Sequence, residues 1–271
     1  MMEKLARLPN FVQRFGVFHG LRLSLRVNGA GGDVNLPTRP FSVPGFDAPV
    51  HLRANRSDYS IFWQSIVRKQ YDLPKFHQTN ELMRRADGMR AAGQVPLILD
   101  CGGNIGLSVR SFGKDYPDAR IIVVEPDNNN LRVLRENVAS LGDRVTVVQG
   151  GVASRSGHCR VVGQERGSAG LMTQYCDADA AGAIRTWPID DLLAMVPGGQ
   201  PWIVKLDIEG AQDDLFSANT DWVAKADCII LELDDWIMPW SGSTVNFFRT
   251  MSQHRFDYLL DGELIVCYRH I

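Results

Sequence analysis

From Val95 onward the chain alternates short apolar runs, rich in β-branched residues, with longer stretches in which apolar positions recur at helical spacing. Val95 to Asp100, Ala119 to Glu125 and Arg144 to Gln149 read as strands, separated by helical patterns at about 105 to 115 and 127 to 140. Trp202 to Asp207 and Asp227 to Leu233 repeat the theme around another helical stretch at about 210 to 224. Strands that are apolar throughout, rather than at alternate positions, are buried on both faces, so the pattern predicts a mostly parallel sheet covered by helices on each side. The end of the chain differs. Phe256 to Leu260, then Asp261-Gly262, then Leu264 to Tyr268 reads as an antiparallel hairpin, because Asp-Gly readily takes the positive φ angles of a two-residue turn. The expected fold class is α/β.

The first 90 residues follow another pattern. Leu5, Leu8, Phe11, Val12 and Phe15 have helical spacing with Lys4, Arg7 and Arg14 between them. Such a helix packs on its own domain or a partner subunit more often than on an anionic membrane, the other surface it suits. Residues 28 to 50 hold Gly29, Gly31, Gly32, Pro37, Pro40, Pro44, Gly45 and Pro49, which disfavour helix and predict turns or short extended pieces. His51-Leu52-Arg53 then suggests a short strand, Ser57 or Asp58 a helix cap, and Ile61, Phe62, Ile66 and Val67 an amphipathic helix. The expected organisation is a helical and irregular N-terminal cap over residues 1–90 and a ligand-binding domain over residues 91–271.

Composition narrows the function classes. A chain of 271 residues, 45% hydrophobic, can bury a large core, and a net charge of -2 supplies no global field for nucleic acid. The expected partner is a small molecule or glycan, with a homo-oligomer possible. Cys101, Cys159, Cys176, Cys228 and Cys267 are scattered, without a C-x-x-C pair or a nearby ligating His, so neither zinc nor a disulfide framework is expected and a reducing, cytoplasmic setting fits. No apolar run nears the ~20 residues that span a bilayer, and the N-terminus lacks a signal-peptide core, so no transmembrane segment is expected.

The candidate chemistry begins where the first sheet strand ends, at Asp100-Cys101-Gly102-Gly103-Asn104-Ile105-Gly106, with a helix following at once. Glycines at a strand-to-helix turn let backbone approach a ligand, and the helix start offers free N–H groups, so Val at Gly102 should block the ligand and leave the fold intact. The second strand ends in Glu125, where an acid can accept from both hydroxyls of a ribose. A dinucleotide site wants G-x-G-x-x-G without a carboxylate in the turn; here its first Gly is Cys101, and Asp100 stands at the strand end. The spacing D-x-G-x-N-x-G fits S-adenosylmethionine instead, whose ammonium and sulfonium are cationic. Asp100, Gly102, Gly103, Asn104, Gly106, Glu125, Pro126, Val152 and Asp207 are the cofactor-binding candidates.

These segments, together with two others, resemble the FkbM family of S-adenosylmethionine-dependent methyltransferases. The likeness runs from about His51 to the C-terminus. It rests on His51-Leu52-Arg53 with Ser57-Asp58, on Leu99 to Gly106, on Val123-Val124-Glu125-Pro126, and on Val204-Lys205-Leu206-Asp207-Ile208-Glu209-Gly210. It implies a class I methyltransferase fold, Rossmann-like, with a seven-stranded sheet ending in an antiparallel hairpin. It also implies methyl transfer to oxygen, often on sugars, polysaccharide building blocks or other natural products. Gly150 and Gly151 stand where the family commonly has Ala, and Cys101 and Gly103 where Val and Ala are frequent. Residues 1 to 50 and Gly157 to Trp187 carry no family signal and are where substrate identity is expected to lie.

Methyl transfer to a hydroxyl needs the nucleophile held close in a dry site and its proton removed. Lys205, Asp207 and Glu209 alternate, so an extended strand end would project all three to one side at the carboxyl edge of the sheet, and they are the catalytic candidates. Lys205 and Asp207 are also readable as a buried ion pair that organises this edge, with Glu209 favouring the start of the next helix by its charge. Glu232 and Trp236 are the substrate-binding candidates, and Trp187 and Trp240 could likewise stack on a sugar. Asp207, Glu209 and Glu232 could together hold Mg²⁺, but nothing requires it and no metal is assigned. The six histidines fall in no motif. Two rival classes share parts of this pattern. A nicotinamide-dependent sugar oxidoreductase or epimerase would want the missing first glycine and a Tyr-x-x-x-Lys pair, and a non-catalytic S-adenosylmethionine-binding protein would not need the crevice acids.

Overall fold

Seven of the apolar runs pair into one sheet, whose strands are numbered here by their order in the chain: β1 Val95–Cys101, β2 Arg120–Glu125, β3 Val145–Gln149, β4 Gly199–Leu206, β5 Cys228–Glu232, β6 Phe256–Asp261 and β7 Leu264–Arg269. The computed structural model describes residues 2–27, 33, 35–162, 172–236 and 238–270; the side chains of residues 2–5 and of Trp236 fall outside that description, as do Gly29, Gly31 and Gly32. Across the sheet the order is β6-β7-β5-β4-β1-β2-β3. Neighbours from β5 through β3 run parallel, and β7 is antiparallel to both β5 and β6. The chain moves outward one way from β1 and the other way from β4, so the strand order reverses between them and leaves a crevice at their carboxyl ends.

The unbroken apolar runs have the double burial they predict. Leu97, Leu99, Ile122, Val204 and Ile229 face one core, with Leu192, Trp222 and Phe247 over them. Ile98, Ile121, Val123, Ile203 and Ile230 face the other, under Ala86, Phe112 and Leu134. That second layer is built by α3 Thr79–Ala91, α4 Leu107–Asp115 and α5 Asn128–Val138, labelled after α1 Met2–Arg26 and α2 Arg56–Phe62. Two local expectations need correction. The stretch 210 to 224 is not one helix: a four-residue helix, Gln212–Leu215, and a 3₁₀ turn, Asp221–Ala224, flank Asn219, whose φ of 55° breaks the run. In the hairpin, Asp261 pairs with Leu264, so the two-residue loop is Gly262-Glu263 rather than Asp261-Gly262, with positive φ (62°) at its first position, as in a type II′ turn.

In the N-terminal segment α1 kinks at Gly16, and Thr38–Phe41 pairs antiparallel with Val50–Arg53. Helix α2 runs directly into a π-helical turn, Trp63–Val67. Its cap is Asn55, whose side chain accepts from the Asp58 amide at 2.8 Å; Asp58 instead pairs with Arg53 at 2.7 Å, both buried. Phe11, Leu23, Phe62 and Ile66 join Ile105, Leu107 and Val133 in a third apolar cluster, seating this segment on α4 and α5. Asn137 of α5 ties the strand at His51 to the loop after β1, bonding the His51 amide (2.7 Å) and carbonyl (2.9 Å) and the Ile105 carbonyl (2.8 Å). Where no element was expected, Gly151–Val152, Ile184–Trp187, Gly157–Val162 and Met172–Tyr175 form a small sheet in that order; residues 163–171 of the stretch assigned to substrate lie outside the described residues. Among the described residues, no helix is long and apolar enough to cross a membrane.

Candidate active site

A cavity of about 350 Å³ opens at the carboxyl edge of the sheet, over the β1/β4 crevice. Of the residues singled out from sequence, Gly102, Gly103, Asn104, Glu125, Pro126 and Val152 line one part of it, and Lys205, Asp207, Glu209 and Glu232 another. Asp100 and Gly106 are not in its wall. The Trp236 side chain lies outside the described residues. Trp187 packs over Gly150 and donates from its indole to the Gln149 carbonyl at 3.2 Å, while Trp240 is fully exposed.

The glycines of the loop are demanded first by the protein itself. Gly102 has φ +80°, and a Cβ there would sit 1.8 Å from the Asp207 carbonyl oxygen; one on Gly103 would sit 2.1 Å from a Val123 methyl. Val at position 102 would therefore push the two loops of the crevice apart, and the expectation that it leaves the fold intact is corrected. Gly106, at φ +81°, caps α4 from behind the cavity, against Leu134 and Val138. Asn104 also takes a left-handed φ, 47°. Its amide donates to Glu125 Oε2 at 2.8 Å, but its side-chain Oδ1 is buried without a hydrogen-bond partner. A buried acceptor left unpaired costs free energy unless something donates to it, and Asn104 is one of the residues that line the cavity. Glu125 also accepts from the Asp127 amide at 2.9 Å, and burial raises its carboxyl to about 7 despite these bonds.

At the crevice floor, Lys205 donates to Asp100 Oδ1 at 2.8 Å and to the Gly102 carbonyl at 2.9 Å, and lies 3.4 Å from Asp207 Oδ2. Ser108 donates to the other oxygen of Asp100, which is wholly buried, so this carboxylate anchors the lysine from behind the wall. Burial opposes the Lys205 ammonium, but the Asp100 and Asp207 carboxylates outweigh it and hold its pKa well above the ordinary lysine value. The strand ends at Leu206, so Lys205, Asp207 and Glu209 do not project as one extended row; Lys205 and Asp207 meet, and Glu209 reaches the cavity from the turn beyond. Tyr71 donates to Asp207 Oδ2 at 3.2 Å with its ring 5.2 Å from the ammonium, and burial and Asp207 keep it neutral.

The far side of the cavity is acidic. Burial, then Asp207, Asp234 and Glu232, raise Glu209 to about 8; burial, then Asp207 and Glu263, raise Glu232 to about 7. Asp234 accepts from the Gly210 amide at 2.7 Å and is raised too, first by burial. Among the described residues no group of three or more His, Cys, Asp or Glu is arranged to hold a metal ion. Several lining residues escaped the sequence reading. Gln64, Gln70 and Tyr71 come from the N-terminal segment, where no motif marks them, and Glu263 enters through the shifted hairpin turn. Only Glu263 had a local signal: the Asp-Gly turn brings it to the same edge as Glu232, whose cross-strand partner is the next residue, Leu264.

No protein-family model matches this chain, and no curated protein matches it. Solved structures do resemble it. A protein of Klebsiella pneumoniae described as an O-methyltransferase aligns at 13% identity and a TM-score of 0.39, over 71% of this chain and 80% of that one. A protein of Staphylococcus aureus described as a caffeoyl-CoA O-methyltransferase aligns at 14% identity and 0.40, over 78% and 98%. A methyltransferase of Podospora anserina with S-adenosylhomocysteine bound aligns at 14% and 0.38, over 65% and 72%.

Proposed function

We propose that the chain is an S-adenosylmethionine-dependent methyltransferase of the FkbM type, acting on a hydroxyl of a sugar, polysaccharide building block or natural product. The observation that carries this is the pairing of an unsatisfied acceptor, Asn104 Oδ1, with the Glu125 carboxyl on one side of a cavity whose other side is carboxylates. The lining suits the cofactor's parts. Glu125 would accept from the ribose hydroxyls, Asn104 from the ammonium, and Pro126 with Val152 would flank the base, while Gly102 and Gly103 keep the backbone close. In this reading residues 1–90 are a cap that contributes Tyr71 to one wall, and residues 91–271 are the cofactor domain.

When bound, the cofactor supplies a methyl group already activated on sulfur. The residues then hold an acceptor oxygen against it, exclude water and remove one proton as the carbon–oxygen bond forms and the carbon–sulfur bond breaks. Lys205 is held protonated and so is not the base; its bonds to Asp100 and Gly102 fix the crevice floor. Asp207 is already engaged by Lys205 and Tyr71. Glu209, raised to about 8, is the carboxylate whose pKa lies closest to the working pH of a general base, and in its deprotonated form it takes the proton. Glu232 binds the acceptor.

Calorimetric titration with S-adenosylhomocysteine and with NAD tests the assignment. Binding of the first and not the second is expected. NAD binding alone would favour a sugar oxidoreductase or epimerase. Mass spectrometry of glycans and metabolites incubated with enzyme and labelled cofactor then identifies the acceptor, and bound cofactor with no labelled product from any hydroxyl compound would leave a non-catalytic binder.

A further inference from the structure

The two arms of α1 fold back on each other at Gly16: a Cβ on Gly20 would meet the Phe11 carbonyl oxygen at 2.6 Å, so the second arm crosses the first in backbone contact. On this second arm, Gly20, Leu23 and Val27 are buried at spacing i, i+3, i+7. The opposite face repeats the same spacing with apolar residues in the open. Phe18 is 72% exposed, Leu21 40% and Leu25 76%, with Val17 at 66% beside them. A helix on a domain surface ordinarily carries polar residues on that outer face. Instead Arg22 and Arg26 flank the stripe, both exposed, and Arg39 lines a shallow depression with Arg26. From Lys4 to Gly32 the chain has five cations, Lys4, Arg7, Arg14, Arg22 and Arg26, and no Asp or Glu, although the whole protein is net negative. Arg7 and Arg14 turn inward, one over the Trp63 ring at 4.4 Å and the other donating to the Ile66 carbonyl, which leaves the outer pair beside the apolar stripe.

We infer that the second arm of α1 docks the protein on an anionic lipid surface, with Phe18, Leu21 and Leu25 in the interface and Arg22, Arg26 and Arg39 against the headgroups. Charge complementarity selects this occupant. A second copy laid on the same face would bring these arginines against one another with no Asp or Glu in residues 17–27 to compensate, whereas apolar residues bordered by arginine are what an interfacial helix presents to acidic lipid. The first arm packs Phe11 on Phe62, at 6.2 Å between ring centroids, and α2 with its π turn supplies Ile61, Gln64 and Ser65 to the cavity. Docking therefore fixes the cavity relative to the surface through one packed element. The inference stands independently of the methyl-transfer reading.

Co-sedimentation of the full chain with phosphatidylglycerol-containing vesicles, against vesicles of phosphatidylcholine alone, tests it. Binding is expected to the anionic vesicles only, and to fall with added salt. Phe18→Glu/Leu25→Glu should abolish it, and Arg22→Gln/Arg26→Gln should lower the partition coefficient about fivefold per arginine. All four positions are exposed, and unchanged melting of both variants confirms that they fold. No sedimentation of the parent protein with anionic vesicles, or equal sedimentation of the Phe18→Glu/Leu25→Glu variant, overturns the inference. So does a dimer in analytical ultracentrifugation that this variant dissolves, since the stripe would then belong to a second copy.

Discussion

Replacing Lys205 by Met keeps the length and most of the volume of the side chain and removes only the ammonium. Lys205 is 2% exposed and its partner Asp100 fully buried, so the variant would leave a carboxylate in the interior with Ser108 as its remaining side-chain partner. Breaking a buried pair from one side costs about 3–5 kcal/mol, because the surviving charge stays desolvated. For a chain of this size each kcal/mol lowers the melting temperature by roughly 2–4 °C, so a fall of roughly 6–20 °C is expected. The ammonium is held above its ordinary pKa, so its stabilisation is fully present across the neutral range and is lost only as pH rises through that elevated value. Adding Asp100→Asn removes the orphaned charge, and the double variant should recover more than half of the loss, so that a double-mutant cycle gives a coupling of at least about 2 kcal/mol. Calorimetric melting of the four proteins measures this. Melting of Lys205→Met within about 2 °C of the parent, with turnover abolished, would refute the scaffold reasoning and return Lys205 to the chemistry.

Glu125→Ala should weaken S-adenosylhomocysteine binding by roughly 1.5–3 kcal/mol, the scale of hydrogen bonds to a charged group, and an unchanged dissociation constant by titration calorimetry would remove Glu125 from the cofactor site. With an acceptor in hand, Glu209→Gln should lower turnover about 10²–10⁴-fold at nearly constant cofactor affinity, and parent turnover should climb as pH rises through about 8, where that carboxyl loses its proton. Asp207→Asn with the larger defect, or a rate flat across that range, would transfer the role. Glu125, Glu209 and Glu232 are all raised from the ordinary 4.5, to about 7, 8 and 7, so between pH 4.5 and 8 the folded protein holds protons that the unfolded chain has released. Stability of the ligand-free protein should therefore fall as pH rises through that window, and Glu209→Gln/Glu232→Gln should flatten the trend in melting temperature.

The order of elements was legible because each is written locally. Continuous β-branched runs such as Ile121 to Val124 can be satisfied only by burial on both faces, and the hairpin by a glycine near its tip. The glycine loop and Glu125 were legible for the same reason, since a strand end followed by a helix start puts those residues at one edge wherever the sheet lies. Less visible were the boundaries that depend on a side chain's competition for partners. Asn55 rather than Ser57 or Asp58 caps α2 because Asp58 is claimed by Arg53, and Arg53 also donates to Asn130, 77 positions away.

The roles within the site were decided by tertiary structure. By itself the sequence determined an α/β chain with one strand-to-helix loop and a set of acids at strand ends, because periodicity and turn chemistry act over a few residues. It left open which of those acids see the cavity. Asp100 and Glu125 close neighbouring strands, yet the first is sealed behind the wall by Lys205 and Ser108 and the second lines it. Tyr71 reaches Asp207 across 136 residues of chain, and the carboxyls of Glu209 and Glu232 are raised by burial and then by Asp207 beside them. Burial and the electrostatic work of bringing like charges together depend on distances in space, and sequence separation does not encode them.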